Sequence, residues 1–374
     1  MTDLSSARGG ASLGTKGITE TNPGQRVSSR ELRHSLKLAQ RAITKARASR
    51  LCYFATTRYV VVSVGLRLIA FVSGVHRCGS VWSCALCAPV VRQRRAGEIE
   101  EGVSGWLARG GSALFITATG PHHRGDGLAG LFDLTAKFGR LTMTGRKAKE
   151  WRSVLGMVGM IRALEVTWSR RNGWHPHCHS VFLFERALTP SEVADFRSWL
   201  FDRWQGVLIS KGFGELHPVH GLDVRPVTEV AGLSEYLTAI EGGWGVGLEM
   251  ARADLKHKGV TPFDLLGDWT FGGDLDARRL WLEYEAVTFG RRCIQWSPGL
   301  RVLLLPDVED LSDEEIAAAE GVDEACVTVE FECREWNVWV RSGEVGLVLR
   351  QVEEMAAVLL WMAQGAGKRV KENV

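Results

Sequence analysis

The segment that most constrains the fold runs from Trp174 to Phe184 and reads WHPHCHSVFLF. Side chains alternate across a β-strand, so His177 and His179 are expected on the same face of a sheet. Val181 and Leu183 continue the histidine face into a core, and Phe182 and Phe184 cover the other face. Two imidazoles on one face can ligate one divalent cation, and the segment therefore predicts a metal site. A hairpin that is merely rich in histidine is the alternative.

The metal site needs a third ligand, and Glu165 on the preceding strand is the candidate. The length of the turn between the two strands decides whether Glu165 can reach. A two-residue turn at Asn172-Gly173 would send Glu165 to the opposite face. A three-residue loop from Arg171 to Gly173 would place Glu165 directly across from His179. The sequence leaves both turns open.

The rest of the chain predicts an α+β protein, and its 374 residues allow two or three domains. Residues 1–28 are rich in Gly, Ser and Thr and are expected to be disordered. The region after Pro306 is expected to be acidic and mainly helical. Strands are expected at 59–75 (one or two), 112–119, 158–168, 177–184 and 223–226, and helices at 29–48, 131–155, 191–209 (capped by Thr189 or Ser191) and 229–241.

Composition favours an ordinary soluble protein, with 45% hydrophobic and 24% charged residues. No stretch approaches the roughly 18 uninterrupted apolar residues of a membrane-spanning helix, so no membrane partner is expected. The N-terminal stretch lacks the apolar core of a secretory signal. These features predict a cytoplasmic protein with reduced thiols.

Charge is distributed unevenly along the chain. The first 110 residues carry a net charge of about +11, and the stretch from Arg301 onward about −9. The basic part includes Arg92, Arg94 and Arg95, which are candidates for contacts with a nucleic-acid backbone. A solvated helix face is the alternative interpretation. The acidic part would repel DNA and is expected to lie away from any binding groove.

Three cysteines, Cys78, Cys84 and Cys87, form a C-x5-C-x2-C set in the basic region. The two-residue spacing suits a tetrahedral Zn²⁺ site, with His76, or alternatively Cys52, as the fourth ligand. Zinc is favoured over a disulfide in a reducing compartment. The remaining cysteines are expected to be ordinary core thiols: Cys178, Cys293, Cys326 and Cys333.

Tyr236 is one of only four tyrosines and shares a predicted helix face with Leu233, Leu237 and Ile240. Periodicity alone favours a core residue, since a tyrosine on an apolar stripe is usually buried with its hydroxyl satisfied.

The histidine pair followed by a helical tyrosine resembles the HUH endonucleases. A wider, ordered set of motifs resembles specifically the Rep proteins of actinobacterial rolling-circle plasmids. The resemblance covers residues 78–296. Its motifs are Phe115–Thr119, His122–Asp126, Ala163–Thr167, Gly173–His179, Trp244–Glu249, Ala251–Lys256 and Thr261–Leu266.

The resemblance implies an antiparallel five-stranded-type sheet with packed helices, the HUH/RRM-like nuclease fold, with the histidine pair on a central strand. Its nuclease domain would span 111–300. A basic helix and cysteine-rich zinc region at 29–110 would precede it, and the acidic, mainly helical region at 301–374 would follow it.

The resemblance also implies a mechanism. His177, His179 and Glu165 would hold Mg²⁺ or Mn²⁺ against a scissile phosphate of single-stranded origin DNA. Tyr236 would attack phosphorus, leaving a 5′-phosphotyrosine and a free 3′-hydroxyl. Host helicase and polymerase would extend that end. Glu235 is a candidate for a second, hydrolytic cleavage.

One position departs from the family. A lysine usually follows the tyrosine by three residues, and here that residue is Ala239. Lys256 or Lys258 would be the substitute cation, and Lys256 is also a candidate DNA contact. The departure keeps a non-catalytic DNA-binding protein open as an alternative, beside a relaxase or transposase of the same chemistry. A metal-dependent hydrolase of a small substrate is a further alternative.

Overall fold

A computed structural model describes residues 29–228, 259–319 and 327–365. This part of the chain is α+β, with two antiparallel sheets. The helices are α1 Ser29–Ile43, α2 Arg47–Leu51, α3 Cys87–Ala108, α4 Leu128–Ala136, α5 Phe138–Thr142, α6 Arg146–Leu155, α7 Pro190–Ser210, α8 Pro262–Gly272, α9 Leu275–Thr288, α10 Leu300–Leu304, α11 Asp313–Ala318, α12 Cys333–Ser342 and α13 Val345–Gly365. The strands are β1 Tyr59–Val64, β2 Ala70–Ser73, β3 Ser112–Ala118, β4 Met157–Ser169, β5 Gly173–Phe184, β6 Leu222–Pro226, β7 Ile294–Trp296 and β8 Val327–Glu332.

The larger sheet has five strands in the order β6-β3-β5-β4-β7, all antiparallel. The histidine-bearing strand β5 is therefore the middle strand, as the family resemblance implies. Its apolar end is buried on both faces, because Val181, Phe182, Leu183 and Phe184 are each fully shielded from solvent. A central strand must bury side chains on both sides of the sheet, and this sequence provides them.

Two separate layers of apolar side chains cover the sheet. Val181 and Leu183 pack with Ile99 of α3 and Leu304 of α10 in one cluster. The opposite face joins the main core, in which Phe182 packs with side chains of α4 and α7. The histidines lie at the other end of β5, on the face that α3 and α10 cover.

The smaller sheet has the order β2-β1-β8, with β1 paired to both neighbours along its length. The predicted strand region 59–75 is thus two strands. β8 belongs to the region predicted to be mainly helical, and its pairing with β1 brings the basic N-terminal and acidic C-terminal regions together. The boundaries at residues 110 and 301 remain predictions.

Ion pairs reinforce this contact between the two ends. Arg95 of α3 pairs with Asp313 at 3.1 Å, and the buried Glu98 pairs with Arg301 at 3.3 Å. Glu31 of α1 pairs with Arg350 of α13 at 3.1 Å. The acidic region therefore lies against the basic one, whereas the sequence predicts only that it avoids the binding groove.

Two predicted helices are divided in the structure. The segment 29–48 is interrupted at residues 44–46, between α1 and α2. The segment 131–155, predicted as one long helix, lies in three shorter ones, α4, α5 and α6. Gly145 precedes α6 with φ +91°, a backbone conformation that a continuous helix cannot include. By contrast α7 begins as predicted, with Thr189 and Glu192 forming a reciprocal capping box.

None of the described helices has the length and apolar character needed to cross a membrane.

The buried residue His34 of α1 makes stability depend on pH. Burial, with the nearby guanidinium groups of Arg30, Arg77 and Arg41, lowers the pKa of His34 to about 3. The unfolded value is about 6.5, so the neutral ring contributes stability that is complete above pH 6.5 and is lost as the pH falls toward 3. Its contribution should fall by ~2 kcal/mol between pH 7 and pH 5.

Replacing His34 with Phe should remove that part of the pH dependence, because the ring packs edge-on against Tyr53 and has no proton to gain. Urea denaturation of both proteins at pH 7 and pH 5 measures the difference. Equal losses of unfolding free energy in His34→Phe and wild type would contradict the assignment.

Candidate metal centres

The register of β4 and β5 places Glu165 on the histidine face. The connecting loop is Arg170 to Asn172, and Ser169 pairs with Gly173. Glu165 therefore lies opposite His177, which is neither of the two registers considered from the sequence. The Arg171–Gly173 loop would have paired Glu165 with His179, two residues farther along β5. A shift of two residues keeps a side chain on the same face, so Glu165 lies on the face that this alternative predicted.

Glu165 contacts both histidines. Its Oε2 lies 3.0 Å from Nε2 of His179 and 4.0 Å from Nδ1 of His177. The hydroxyl of Thr117 on β3 lies 3.1 Å from Nδ1 of His179, and Phe115 stacks on the same ring at 5.7 Å. Thr117 and Glu165 therefore engage the two ring nitrogens of His179, at 3.1 and 3.0 Å, and together fix the orientation of the ring.

His177 makes fewer hydrogen bonds than His179. Its Nδ1 is buried and has no hydrogen-bond partner in the described part of the chain. Burial lowers the pKa of His177 to about 4, although the Glu165 carboxylate raises it in part. The ring is therefore neutral at pH 7 with an unused nitrogen, which is the state that binds a metal ion.

Two further histidines extend the row. His175 of β5 lies 3.9 Å from His177 between ring centroids, and His122 of the loop after β3 stacks on His175 at 4.2 Å. Burial, with His177 and His122 nearby, lowers the pKa of His175 to about 2. Neutral rings can pack this closely without the repulsion that imidazolium ions would suffer.

The spacing of one pair of these donors is compatible with a divalent cation. Two ligands at about 2.1 Å and at right angles around an octahedral ion lie about 3.0 Å apart, which is the separation of Glu165 Oε2 and His179 Nε2. The carboxylate is a ligand type that suits Mg²⁺ and Mn²⁺, and imidazoles are common ligands of divalent transition metals. The orphaned His177 nitrogen is the independent sign that a partner belongs here.

The second centre is more compact. Within the residues described, Cys52, Cys78, Cys84 and Cys87 are the only group of three or more His, Cys, Asp or Glu donors whose ligand atoms all lie within 4.8 Å of one another. The ligand atoms of Glu165, His177 and His179 are spread more widely than this. The cysteine group joins the end of α2 to the start of α3.

The sulfur separations match tetrahedral zinc. Cys52 Sγ lies 3.7 Å from Cys84 Sγ and 3.6 Å from Cys87 Sγ, and Cys78 Sγ lies 3.9 Å from Cys87 Sγ. Zn–S bonds of about 2.3 Å place tetrahedral sulfurs about 3.8 Å apart. A disulfide would need about 2.05 Å. The buried four-cysteine cluster can therefore bind zinc.

A buried cation lies beside this cluster. The ammonium group of Lys37 donates to Gln40 and Ser49 at 2.9 Å each, inside the core. Burial alone would lower the pKa of Lys37, but the neighbouring sulfurs raise it above its usual value. Conversely, burial would raise the pKa of Cys84, yet the other three thiols and Lys37 bring it well below normal. The positive charge of Lys37 thus favours thiolate at the cluster.

The fourth position of the group is Cys52. His76 lies outside it, and its Nε2 is buried without a hydrogen-bond partner among the described residues. The geometry therefore favours the Cys52 alternative over His76. Of the four cysteines predicted to be core thiols, Cys178 and Cys293 are buried as expected, Cys333 is only half-buried, and Cys326 lies outside the described residues.

Several predicted residues lie outside the part of the chain that the structure describes: Tyr236, Glu235, Ala239, Lys256, Lys258 and the segment 1–28. The chain re-enters the described part at Gly259. A Cβ atom at Gly259 would lie 3.1 Å from the Thr167 side chain, and Val260 forms a β-bridge with Trp168. Gly259 therefore lies beside Thr167, which is two residues from Glu165 on β4.

The predicted basic cluster on α3 is mostly turned inward. Arg92 is buried, donates to the carbonyl of Val81 and lies over the Trp82 ring. Arg95 is engaged by Glu98 and Asp313. Only Arg94 is half-exposed. This placement argues against Arg92 and Arg95 as phosphate contacts.

Another basic group lies at the metal-site end of the large sheet. Arg170 and Arg171 are exposed in the β4–β5 loop, and Arg124 is exposed in the loop after β3. A Cβ atom at Gly173 would lie 2.9 Å from Arg124 Cα, so the two loops touch. None of the three guanidinium groups has an acidic partner among residues 29–228, 259–319 and 327–365. The sequence signal, Arg170-Arg171 beside a turn, was available but is weak.

Comparison with known proteins adds one strong relationship. The Streptomyces lividans protein named Protein rep is 35% identical over 319 residues, covering 69% of this chain and 70% of that protein. The Neomycin resistance protein of Streptomyces cyanogenus is 31% identical over 169 residues, covering 35% of this chain and 38% of that protein. No protein-family model and no solved structure matches the chain.

The fourth cysteine ligand can be tested by metal content. Cys52→Ala should reduce bound zinc from about one equivalent to well below it, because a three-cysteine site loses a charged ligand. His76→Ala is the matched control and should retain zinc. Elemental analysis of the purified variants measures the zinc-to-protein ratio. Loss of zinc in His76→Ala with retention in Cys52→Ala would reverse the assignment.

Proposed function

The chain belongs to the family of the Streptomyces lividans Rep protein, and we propose that it initiates plasmid rolling-circle replication by nicking and rejoining single-stranded DNA. The observation that carries this proposal is the site on β5. There His177 and His179 face Glu165 of the neighbouring strand β4, and the buried Nδ1 of His177 has no hydrogen-bond partner among the described residues.

In the proposed reaction, Mg²⁺ or Mn²⁺ held by Glu165, His177 and His179 would supply Lewis-acid stabilisation of charge on the scissile phosphate. Thr117 fixes the His179 ring, and Phe115 packs against it, so the donor nitrogen keeps its direction. The low pKa of His177 means that no proton has to leave that ring before it binds the ion at neutral pH.

Tyr236 is the proposed nucleophile. Its phenolic oxygen forms a bond to phosphorus while the bond from phosphorus to the 3′-oxygen breaks, and the leaving oxygen takes a proton. The products are a 5′-phosphotyrosine and a free 3′-hydroxyl. Attack of a 3′-hydroxyl on the phosphotyrosine reverses the step and rejoins the strand.

Glu235 is proposed as the residue that assists a second, hydrolytic cleavage. Lys256 or Lys258 is proposed to supply the cation that Ala239 does not. The four-cysteine group is proposed to hold zinc as a structural ion, since all four sulfurs are buried. Host helicase and polymerase are the proposed partners at the free 3′ end.

The nucleophile is tested by covalent capture. Purified protein is incubated with Mn²⁺ and labelled single-stranded oligonucleotides tiling the DNA that flanks its gene, and adducts are separated on denaturing gels. Wild type should form a protein–DNA adduct. Tyr236→Phe should form none, because phenylalanine has no oxygen to attack phosphorus.

Tyr59→Phe is the matched control for loss of one phenolic hydroxyl, because Tyr59 is exposed on β1 and lies far from Tyr236 in the sequence. His179→Ala should lower adduct formation at least 100-fold, on the order expected when a metal ligand is lost. DNA binding without any adduct in wild type would instead favour the non-catalytic DNA-binding protein.

The exposed arginines are proposed to contact the DNA backbone. Replacing Arg124, Arg170 and Arg171 together with Ala should weaken binding to all single-stranded sequences alike. It should also reduce the slope of log K against log[salt] by about 2, since each lost phosphate contact on a single strand removes about 0.7. Fluorescence anisotropy over a salt series measures the slope.

A triple variant of equal charge change provides the control. Arg152, Arg197 and Arg203 are exposed on α6 and α7, and their replacement with Ala should leave the salt slope nearly unchanged. The same loss of slope in both triple variants would show that net charge alone matters, and the assigned surface would be wrong.

A further inference from the structure

A cavity of about 420 Å³ opens at the metal-site end of the large sheet. This volume falls within the range of about 300–1,000 Å³ that small organic ligands occupy. The loop after β3, the start of α4 and the chain just after α7 form its walls. The residues lining it are Pro121, His123, Asp126, Gly127, Gly130, Leu131, Gly212, Phe213 and Gly214.

The cavity is linked to the metal site through two rings. The loop that forms one wall contains His122, which stacks on His175, and His175 in turn lies against His177. The ring-to-ring distances are 4.2 and 3.9 Å. A strand whose phosphate reached His177 would therefore bring a neighbouring nucleotide to this loop.

The lining suits a nucleobase. Phe213 is half-buried and His123 is exposed, so each can offer a ring face for stacking. Four glycines in the lining leave backbone surface open to a flat ligand. The Asp126 carboxylate accepts the backbone N–H of His123 at 2.6 Å, which holds it at the cavity wall. A carboxylate there can accept from the exocyclic amino group of a base.

The surrounding charge suits the rest of a nucleotide. Arg124 follows His123 directly and touches the β4–β5 loop, where Arg170 and Arg171 are exposed. These cations lie outside the cavity lining, so phosphates would pass over the rim while a base enters. Asp126 would repel a phosphate inside the cavity, which favours entry by the base.

We propose that this cavity binds one unstacked base of the single strand, next to the nucleotide that is cleaved. The proposal rests on the proposed function for the position of the strand. A base bearing an amino group, such as cytosine, is the preferred occupant because of Asp126.

A larger side chain at Gly130 would fill the cavity with little disturbance of the surrounding structure. Gly130 lies in α4 and is exposed, and a Cβ atom there would meet only Phe213 Cζ, at 3.7 Å. Gly130→Leu therefore places a side chain at the cavity without displacing backbone, and leucine is a better helix former than glycine. Gly97→Leu in α3 is the matched control, because Gly97 is also helical and exposed with nothing within 4 Å of a Cβ atom.

The test uses full-length protein without added Mg²⁺ or Mn²⁺, so that cleavage plays no part. Anisotropy compares a fluorescein-labelled 12-mer of deoxycytidine with a base-free 12-mer that keeps every phosphate. Gly130→Leu should bind the deoxycytidine 12-mer about tenfold more weakly, within the range for loss of one base–aromatic stack. It should bind the base-free 12-mer as wild type does, and Gly97→Leu should change neither.

Photocrosslinking then locates the base. A deoxycytidine 12-mer carrying 5-iododeoxycytidine should crosslink wild type within residues 121–131 or 212–214, and Gly130→Leu should lose that product at least fivefold. Crosslinks that map only elsewhere, or a Gly130→Leu variant that binds both oligomers like wild type, would overturn the proposal. Because adduct formation by Tyr236 is measured separately with Mn²⁺, a failure of nicking leaves this result interpretable.

Discussion

The alternation of side chains along β5 is the constraint on which the rest of the structure depends. One half of the strand is apolar on both faces and must be covered twice, by α3 and α10 on one side and by α4 and α7 on the other. The other half carries His175, His177 and His179 on a single face. The same strand thus anchors the core and holds the polar donors rigidly, and rigid elements position ligands more precisely than loops do.

Burial has opposite consequences at the two centres. At β5 it keeps His175 and His177 neutral by lowering their pKa, which leaves their nitrogens free to bind. At the cysteine group burial alone would favour neutral thiols. The ammonium of Lys37, held in the core by Gln40 and Ser49, opposes that tendency and partly balances the negative charge that four thiolates would bring.

The sequence predicts the local part of this arrangement well. The strands β3, β5 and β6 and the start of α7 at Thr189 follow from alternation and capping, whereas the central position of the histidine strand was expected from the family resemblance. Features that depend on distant residues are missed. The pairing of Glu165 with His177 depends on which three residues turn, and the contact of Cys52 with Cys84 joins segments 32 residues apart. Neither the strand pairing nor the cysteine contact can be inferred from the local alternation of apolar and polar residues. The site residues Tyr236 and Glu235 remain predictions.

Net charge along the chain is a poor guide to where DNA would bind. The basic N-terminal region has the larger excess, yet Arg92 and Arg95 are satisfied inside the protein, partly by carboxylates of the acidic C-terminal region. Partnered charges offer little to a phosphate, because they would have to exchange one ion pair for another. Unpartnered guanidinium groups keep their full attraction. Arg124, Arg170 and Arg171 have no acidic partner in the part of the chain that the structure describes, so the position of a charge and its partners, rather than the number of charges, favour this surface.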